Sequence, residues 1–243
     1  MIQRDFFKSA RSVPIMWMKV AVIHDAPYAA VLLLWVIFVS FYLAKKAYEA
    51  AIRRGYPERS GTYFGRKVIH ILGGGVVAVL LPIVFREPVL PLLMAIILTM
   101  AVYIPHRTGK LYRWFQDPDN MYEVHFTLAW GIIAFTLWFI DPTYWLATVP
   151  LLYMSWGDGV TGIIRNLRYR RRVKGWEGSL AMLIVSIPIG AVLGYIGILS
   201  AVLATLSEKQ PIIDDNIAIP LVASATLVLG HFLAPGLMMS LYG

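Results

Sequence analysis

The chain contains no cysteine among its 243 residues. That absence excludes disulfides, thiolate metal sites and thiol nucleophiles, although it does not identify a compartment. Internal repeats, low-complexity tracts and linkers are also missing, which favours a single domain over residues 1–243. No secretory signal is visible, because the N-terminus is charged and the first long apolar run lacks a small-residue cleavage site. We therefore expect the first apolar helix to be retained.

Hydrophobic residues make up 58% of the chain, and the mean hydropathy is +0.66. They occur in long blocks rather than in the stripes of a soluble helix, which predicts an all-α, polytopic integral membrane protein. About seven blocks approach the roughly 20 residues that cross a bilayer. The predicted spans are 28–47, 67–85, 88–105, 123–140, 143–164, 179–195 and 216–233. A further block, 197–208, predicts a half-helix of roughly 18 Å, preceded by a bend at Gly194 and Gly197.

The net charge of +8 is concentrated in alternate connections between the predicted spans. Sixteen of the twenty-two Lys and Arg residues lie in segments 45–67, 105–123 and 165–178. The positive-inside rule therefore predicts that these three segments are cytoplasmic. The basic N-terminal tail does not fit that alternation, so we expect residues 1–27 to form an interfacial tail, with Val13–Ile23 along the membrane surface.

The basic segments have three possible roles. Topology and attraction to anionic headgroups explain most single cations. Nucleic acid is a poor partner, because short loops between spans offer no module that reads bases. An anionic nucleotide is the third possibility, and it would require acidic residues that hold a divalent cation.

Asp158 lies near the cytoplasmic end of the fifth predicted span. An ionisable group at that depth is costly to bury and indicates a functional site. Ser155 and Thr161 place hydroxyls on the same helical face as this carboxylate. Three neighbouring glycines would let a ligand or another helix approach the backbone; they are Gly157, Gly159 and Gly162. The alternative is an Asp158 that caps a broken helix or pairs with Arg165.

The stretch Lys174-Gly-Trp-Glu-Gly-Ser179 opens the sixth predicted span. A helix start presents free N–H groups and a positive dipole end, which suit a phosphate. Gly178 and Ser179 would allow the backbone to reach it. The alternative is that Ser179 is an N-cap and Lys174 a topology charge.

A third acidic cluster, Glu208 to Asn216, precedes the last predicted span. If 197–208 turns back as a half-helix, this cluster joins Asp158 and Lys174 at one face. Adjacent carboxylates and an amide oxygen are ligands of the kind that Mg²⁺ uses. Asp215 or Asn216 could instead cap the last helix.

The second predicted span begins with Arg66 and Lys67, and His70 follows one turn deeper. Arg66 and His70 share a helical face through their i, i+4 spacing. One interpretation makes Arg66 or Lys67 a phosphate clamp and His70 a hydrogen-bonding or proton-accepting group. The alternative is a His70 that is simply satisfied in the core. The loop from Asp117 to His125 could supply further oxygen ligands on the same side. The alternative, which we favour, is that Asp119 and Asn120 end the loop and help to start the fourth predicted span.

Four motifs, taken in order, resemble the polyprenol kinase family, which includes dolichol and phytol kinases and is related to phosphatidate cytidylyltransferases. The motifs are RKVIH with its following glycines, GDGVTGIIRN, KGWEGS and DDNIAIPLVA. The likeness extends from Arg66 to Ala223. One departure lies at Arg165-Asn-Leu-Arg168, where many relatives have a second glycine-rich turn, which leaves the choice of CTP over ATP open.

The resemblance implies a membrane enzyme that moves the γ-phosphoryl of a nucleotide, CTP in the best known members, to an isoprenoid alcohol. It implies that Asp158 holds a Mg²⁺ and the nucleotide, with Lys174 and Ser179 on phosphates. Asp214, Asp215 and Asn216 would complete the site. The residues predicted to take part in catalysis are Asp158, Lys174, His70 and Arg66; those predicted to hold the metal are Asp158, Asp214 and Asp215; those predicted to line the nucleotide site are Lys67, Gly157, Gly159, Thr161, Gly162, Glu177, Gly178, Ser179 and Asn216.

Two other functions are compatible with the same motifs. A cytidylyltransferase would use CTP, Mg²⁺ and a lipid phosphate to make a CDP-lipid, and it would release pyrophosphate instead of CDP. An ion-coupled transporter would use intramembrane acidic groups and half-helices. The clustering of charged motifs at one face, without a repeat of broken helices, argues against a transporter.

Overall fold

The computed structural model describes residues 15–170 and 173–238. Every regular element within those ranges is helical, and they contain no β-strand, so the all-α prediction is confirmed for the described residues. The α-helices are α1 (Ile15–Phe38), α2 (Ala44–Arg53), α3 (Glu58–Val68), α4 (Val76–Val84), α5 (Val89–Thr108), α6 (Tyr122–Trp138), α7 (Trp145–Leu152), α8 (Asp158–Tyr169), α9 (Trp176–Ala191), α10 (Gly194–Glu208) and α11 (Asp215–Leu233).

Three π-helical segments join consecutive helices into longer rods. Val39–Leu43 joins α1 to α2, Ile69–Gly75 joins α3 to α4, and Tyr153–Gly157 joins α7 to α8. The second and third segments pack against each other. π-Helical turns are rare and are frequently found at functional sites. Here one of them contains His70 and another ends immediately before Asp158, so both belong to the same region of the bundle.

Four rods are long and apolar enough to cross a membrane: Val20–Arg53, Glu58–Val84, Val89–Thr108 and Asp215–Leu233. Large apolar side chains on their surfaces face outward, as in Leu34 (66% exposed) and Ile83 (71% exposed), which suits contact with lipid. The predicted count of about seven spans is not confirmed, because α6, α9 and α10 have only 17, 16 and 15 residues. The predicted span 143–164 is the rod of α7 and α8, which lies outside these four.

The N-terminal prediction falls partly outside the described residues. Residues 1–14 of the predicted interfacial tail are not among them. Residues 15–27 form the first turns of α1 and continue without a break into the first rod. The described part of this segment is therefore the start of a long helix.

The predicted sixth span and half-helix are a hairpin of two helices of similar length. At the helical rise of 1.5 Å per residue, α9 and α10 are roughly 24 and 22 Å long. Gly194 takes the left-handed conformation (φ 72°) at the start of α10, which confirms the predicted bend there. Gly197 lies inside α10, where it faces Gly190 of α9 backbone to backbone.

Gly197→Ala is expected to lower the free energy of unfolding by about 1–3 kcal/mol, because its Cβ would overlap the Gly190 carbonyl oxygen and push the two helices apart. Unfolding by SDS in mixed micelles measures the effect. Gly236→Ala is the matched control, since no atom lies within 4 Å of its added Cβ. A change below about 0.5 kcal/mol in both variants would contradict the proposed contact.

The three basic segments lie at the same end of the helical bundle. Ser60 Oγ donates to the Arg170 carbonyl oxygen (2.7 Å), and Thr62 Oγ1 donates to that of Arg113 (2.7 Å). At the opposite end, the Arg86 amide donates to Asp25 Oδ2 (2.7 Å), and the Tyr144 hydroxyl donates to the Glu87 carbonyl oxygen (2.7 Å). The basic segments therefore share one face, and its cytoplasmic orientation stays a prediction.

Candidate functional site

A buried cluster of Lys67, His70 and Asp158 lies between α3, the second π-helical segment and α8. Lys67 Nζ lies 2.5 Å from Asp158 Oδ2, and His70 Nδ1 lies 3.5 Å from the same oxygen. The three residues are 1–4% exposed. Neither ring nitrogen of His70 has a hydrogen-bond partner within the described residues. The imidazole therefore faces Asp158 through Nδ1 and has no partner at Nε2 among the described residues. A role for His70 in ligand binding stays a prediction.

Local sequence explains how Lys67 reaches Asp158. Lys67 and His70 are three residues apart and so lie on one side of the rod. A Cβ at Gly162, one turn after Asp158, would collide with Lys67 Cε and lie 2.7 Å from the Tyr63 hydroxyl. Gly162 thus makes room for the lysine, whose ammonium lies 5.0 Å from the Tyr63 ring centroid. This glycine accommodates a side chain of the protein itself.

Arg66 points away from this cluster, although it adjoins Lys67 in the sequence. Its guanidinium donates to Asn120 Oδ1 (3.3 Å) and lies 5.2 Å from the Tyr122 ring centroid. Its Nε is buried and has no hydrogen-bond partner among the described residues. Arg66 and Lys67 therefore contact different residues.

A mostly apolar cleft borders His70. It lies between α1, α5, α6 and the rod of α3 and α4, and its apolar lining includes Val36, Met94, Leu98 and Trp130. Phe126, another lining residue, stacks on His70 with ring centroids 4.0 Å apart. Three ionisable side chains also line the cleft: Arg66, His70 and Glu123. Sequence reasoning missed this cleft, because its walls come from four distant segments.

Arg165 forms a second buried ion pair. Its Nη1 and Nη2 lie 2.5 and 3.0 Å from Glu208 Oε1 and Oε2. Arg165 Nε and Nη2 also donate to the Gly175 carbonyl oxygen at 3.1 and 2.8 Å. A Cβ at Gly178 would overlap Arg165 Nε. Arg165 therefore joins α8 to α9 and α10. The alternative interpretation, in which Arg165 pairs with Asp158, is wrong.

Lys174 holds the turn between α10 and α11. Its ammonium donates to the carbonyl oxygens of Glu208 (2.6 Å) and Gln210 (2.7 Å) and to Asp215 Oδ1 (2.7 Å). Three contacts match the three donors of an ammonium. Lys174 is thus brought to the acidic cluster, as predicted. A phosphate contact would require it to exchange one of these partners.

The start of α11 separates the two neighbouring carboxylates. Asp214 is the N-cap: its Oδ1 accepts from the Asn216 amide (3.0 Å), while its Oδ2 lies 2.5 Å from His125 Nδ1. The N-cap of α11 is thus Asp214, and the alternative prediction that Asp215 or Asn216 caps this helix is wrong. Asn216 donates to the Tyr122 carbonyl oxygen (3.2 Å), and its own Oδ1 is buried without a partner among the described residues. His125 belongs to this group and was missed from the sequence.

The remaining predicted residues mainly hold helices together. A Cβ at Gly157 would lie 2.7 Å from Ser186 Oγ, and one at Gly159 would lie 2.6 Å from an Ile71 carbon. Thr161 Oγ1 lies 2.9 Å from the carbonyl oxygens of both Gly157 and Gly178. These contacts place α8 against α9 and the second π-helical segment.

The predicted residues at the start of α9 are also occupied. Ser179 Oγ accepts from Arg165 Nη2 (3.2 Å). Glu177 Oε1 accepts from the Tyr169 hydroxyl (2.9 Å) and lies 3.2 Å from Arg168 Nε. Neither Ser179 nor Glu177 contacts Asp158 in the hydrogen bonds of the described residues.

The predicted three-carboxylate metal set is not assembled. Within residues 15–170 and 173–238, no group of three or more His, Asp and Glu side chains could hold a metal ion. Asp158 pairs with Lys67, Asp214 with His125, and Asp215 with Lys174. Asp158 and Asp215 nevertheless lie at the same end of the bundle. Arg165, on the same helix as Asp158, binds Glu208, and the Lys174 ammonium bonds to the Glu208 carbonyl oxygen and to Asp215. A cation bound by one or two carboxylates with phosphate and water would need only Asp158, Asp215 and the Asn216 amide oxygen.

No protein-family model, curated protein or solved structure matches the chain. The resemblance to polyprenol kinases therefore depends on the four motifs quoted above.

Proposed function

We propose that this chain is a membrane lipid kinase that transfers the γ-phosphoryl group of a nucleoside triphosphate, CTP by resemblance, to an isoprenoid alcohol. One observation carries the proposal: the buried Lys67–Asp158–His70 cluster borders an apolar cleft through His70. A cation, a carboxylate and an imidazole thus meet a surface suited to a hydrocarbon chain.

The cleft supports an amphiphilic acceptor. Its apolar walls would take the isoprenoid chain, since burial of apolar surface is favourable and makes few demands on chain shape. The hydroxyl would then lie beside His70, the only one of the three cluster residues that lines the cleft in the described part of the chain. A substrate of this kind can reach the cleft by lateral diffusion between helices.

The basic and acidic groups support a nucleotide donor. Phosphoryl transfer asks a protein mainly for positioning and electrostatic stabilisation. Lys67 and Lys174 are the cations of the site, and each is paired with a carboxylate, Asp158 and Asp215 respectively. Nucleotide and Mg²⁺ binding would exchange these pairs, with phosphates on the lysines and the cation on the carboxylates and Asn216. The Mg²⁺, when bound, supplies neutralisation of the phosphate charge.

In the reaction, the alcohol oxygen forms a bond to the γ-phosphorus while the bond from that phosphorus to the β–γ bridging oxygen breaks. The alcohol proton passes to Nε2 of His70, which has no hydrogen-bond partner among the described residues, whereas Nδ1 lies 3.5 Å from Asp158 Oδ2. The products are the lipid monophosphate and a nucleoside diphosphate. The active site lies on the face of the three basic segments, which the positive-inside rule orients toward the cytoplasm.

Purified protein incubated with γ-labelled CTP or ATP, Mg²⁺ and a panel of isoprenoid alcohols is expected to place the label in the lipid fraction and to release a nucleoside diphosphate. Chromatography of the lipid and aqueous phases measures both products. Label that leaves as pyrophosphate, with a lipid phosphate as the acceptor, would replace the kinase by a cytidylyltransferase. Solute transport in proteoliposomes without phosphoryl transfer would favour a transporter.

A further inference from the structure

Glu123 is a buried carboxylate that none of the sequence motifs includes. It lies in the first turn of α6, is 6% exposed and lines the apolar cleft. Its Oε1 lies 2.5 Å from His106 Nε2 and accepts from Gln116 Nε2 at 2.9 Å. Its Oε2 is buried and has no hydrogen-bond partner within the described residues. Oε1 therefore has two partners, while Oε2 has none among the described residues.

The arrangement around Oε1 fixes the carboxylate in place. His106 comes from the last turns of α5. Gln116 comes from the loop before α6, and it is held by bonds to the Val102 carbonyl oxygen (2.7 Å) and from the Tyr112 amide (3.0 Å). Both partners contact Oε1, so Oε2 is left without a hydrogen-bond donor among the described residues. His106 and Gln116 are positioning residues.

A buried acceptor without a partner costs free energy, and a charged one costs more. The loss is recovered when a ligand brings a hydrogen-bond donor to that atom. A long apolar molecule that ends in a hydroxyl has the right chemistry, because its chain suits the apolar walls and its O–H is a single donor. A lipid without a donor at its end would leave Oε2 unsatisfied.

We propose that Glu123 is the specificity-determining residue of the cleft: its Oε2 accepts a hydrogen bond from the hydroxyl of a long-chain alcohol and so selects alcohols over otherwise identical lipids without a donor. This inference rests on the proposed function in that it identifies the cleft as the acceptor site. It assigns binding of the hydroxyl before the reaction to Glu123, and the O–H turns away from Glu123 Oε2 before its proton passes to His70.

The test compares the binding of geranylgeraniol and its methyl ether to the detergent-purified protein without nucleotide. Displacement of labelled geranylgeraniol measures both affinities. The wild type is expected to bind the alcohol about 10- to 100-fold more tightly than the ether, since a hydrogen bond to a buried charged acceptor is strong. Glu123→Gln keeps the size of the side chain but removes its charge. It is expected to reduce the ratio by about tenfold and to leave the affinity for the ether unchanged.

Glu49→Gln is the matched control, because Glu49 lies on α2, makes only weak ion pairs at 3.9 Å and does not line the cleft. It is expected to keep the wild-type ratio. An equal affinity of the wild type for alcohol and ether would overturn the inference even if Glu123→Gln fails to fold. A wild-type ratio in a folded Glu123→Gln protein would also overturn it. The binding assay contains no nucleotide, so it does not depend on phosphoryl transfer. If the expected ratio of alcohol to ether affinity is found but the labelling assay shows no phosphoryl transfer, the kinase proposal fails and the role of Glu123 stands.

Discussion

Asp158→Asn is expected to lower kcat/KM for phosphoryl transfer to an isoprenoid alcohol by about a thousandfold. Asparagine keeps the size of the side chain but loses the negative charge that lies 2.5 Å from Lys67 Nζ and 3.5 Å from His70 Nδ1. The loss removes a predicted ligand of the cation and the counter-charge of the buried lysine. Initial rates of labelled lipid formation, measured on protein of normal size-exclusion profile, check the effect.

Asp25→Asn is the matched control for this substitution. Asp25 is a fully buried aspartate that accepts from the backbone amides of Arg86 and Glu87. It lies at the opposite end of the bundle, roughly 25 Å from Lys67 along the α3–α4 rod at the helical rise. We expect it to weaken the fold without a comparable loss of rate. If the folded Asp158→Asn protein transfers phosphate as fast as the wild type, Asp158 has no part in the reaction.

Arg165→Met is expected to lower the free energy of unfolding by about 3–5 kcal/mol, because it leaves Glu208 as a buried and uncompensated charge. Glu208 is 1% exposed and accepts hydrogen bonds from Nη1 and Nη2 of Arg165. The substitution also removes the two bonds to the Gly175 carbonyl oxygen, which hold the start of α9. Unfolding by SDS in mixed micelles measures the loss.

Arg168→Met, three residues later on the same helix, is the matched control. The Arg168 side chain is 62% exposed and pairs with Glu177 at 3.2 Å, so we expect a change below about 0.5 kcal/mol. The double variant Arg165→Met/Glu208→Leu is expected to recover part of the lost stability, since it removes the buried charge together with its partner. Equal effects of the two single arginine variants would show that burial of the Arg165–Glu208 pair does not matter.

Much of the helical organisation could be predicted from the sequence. The blocks 67–85, 88–105 and 216–233 lie within or close to observed rods, and the bend at Gly194 is present. Run length and apolar composition determine such features locally, because a helix satisfies its own backbone hydrogen bonds. The π-helical segments could not be predicted, since they depend on how neighbouring helices pack. The lengths of α9 and α10 were also missed, because the turn between them begins before Gly194.

Part of the candidate site could be predicted as well. Lys67 and His70 belong to one predicted motif and Asp158 to another, and the three residues meet in one buried cluster. Their pairing was not foreseen: Asp158 takes Lys67, which is 91 residues away, while Arg165 takes Glu208. Successive helical residues point in different directions, so Arg66 and Lys67 reach different surroundings. Glu123 and His106 were assigned no individual role, because neither belongs to one of the four motifs and their contact joins two different helices.

Composition and the spacing of apolar blocks by themselves determined that the regular elements of the described residues are helical, that some form membrane-length rods, and that the basic segments alternate with the apolar ones. Those properties are local, and they follow from hydrophobicity and from the backbone hydrogen bonding of single helices. Tertiary structure alone decided which charges are paired, which glycines make room for Lys67 and Arg165, and where the apolar cleft opens. Each of these depends on several segments at once, and ion pairing and cavity shape change over a few ångströms that no linear pattern records.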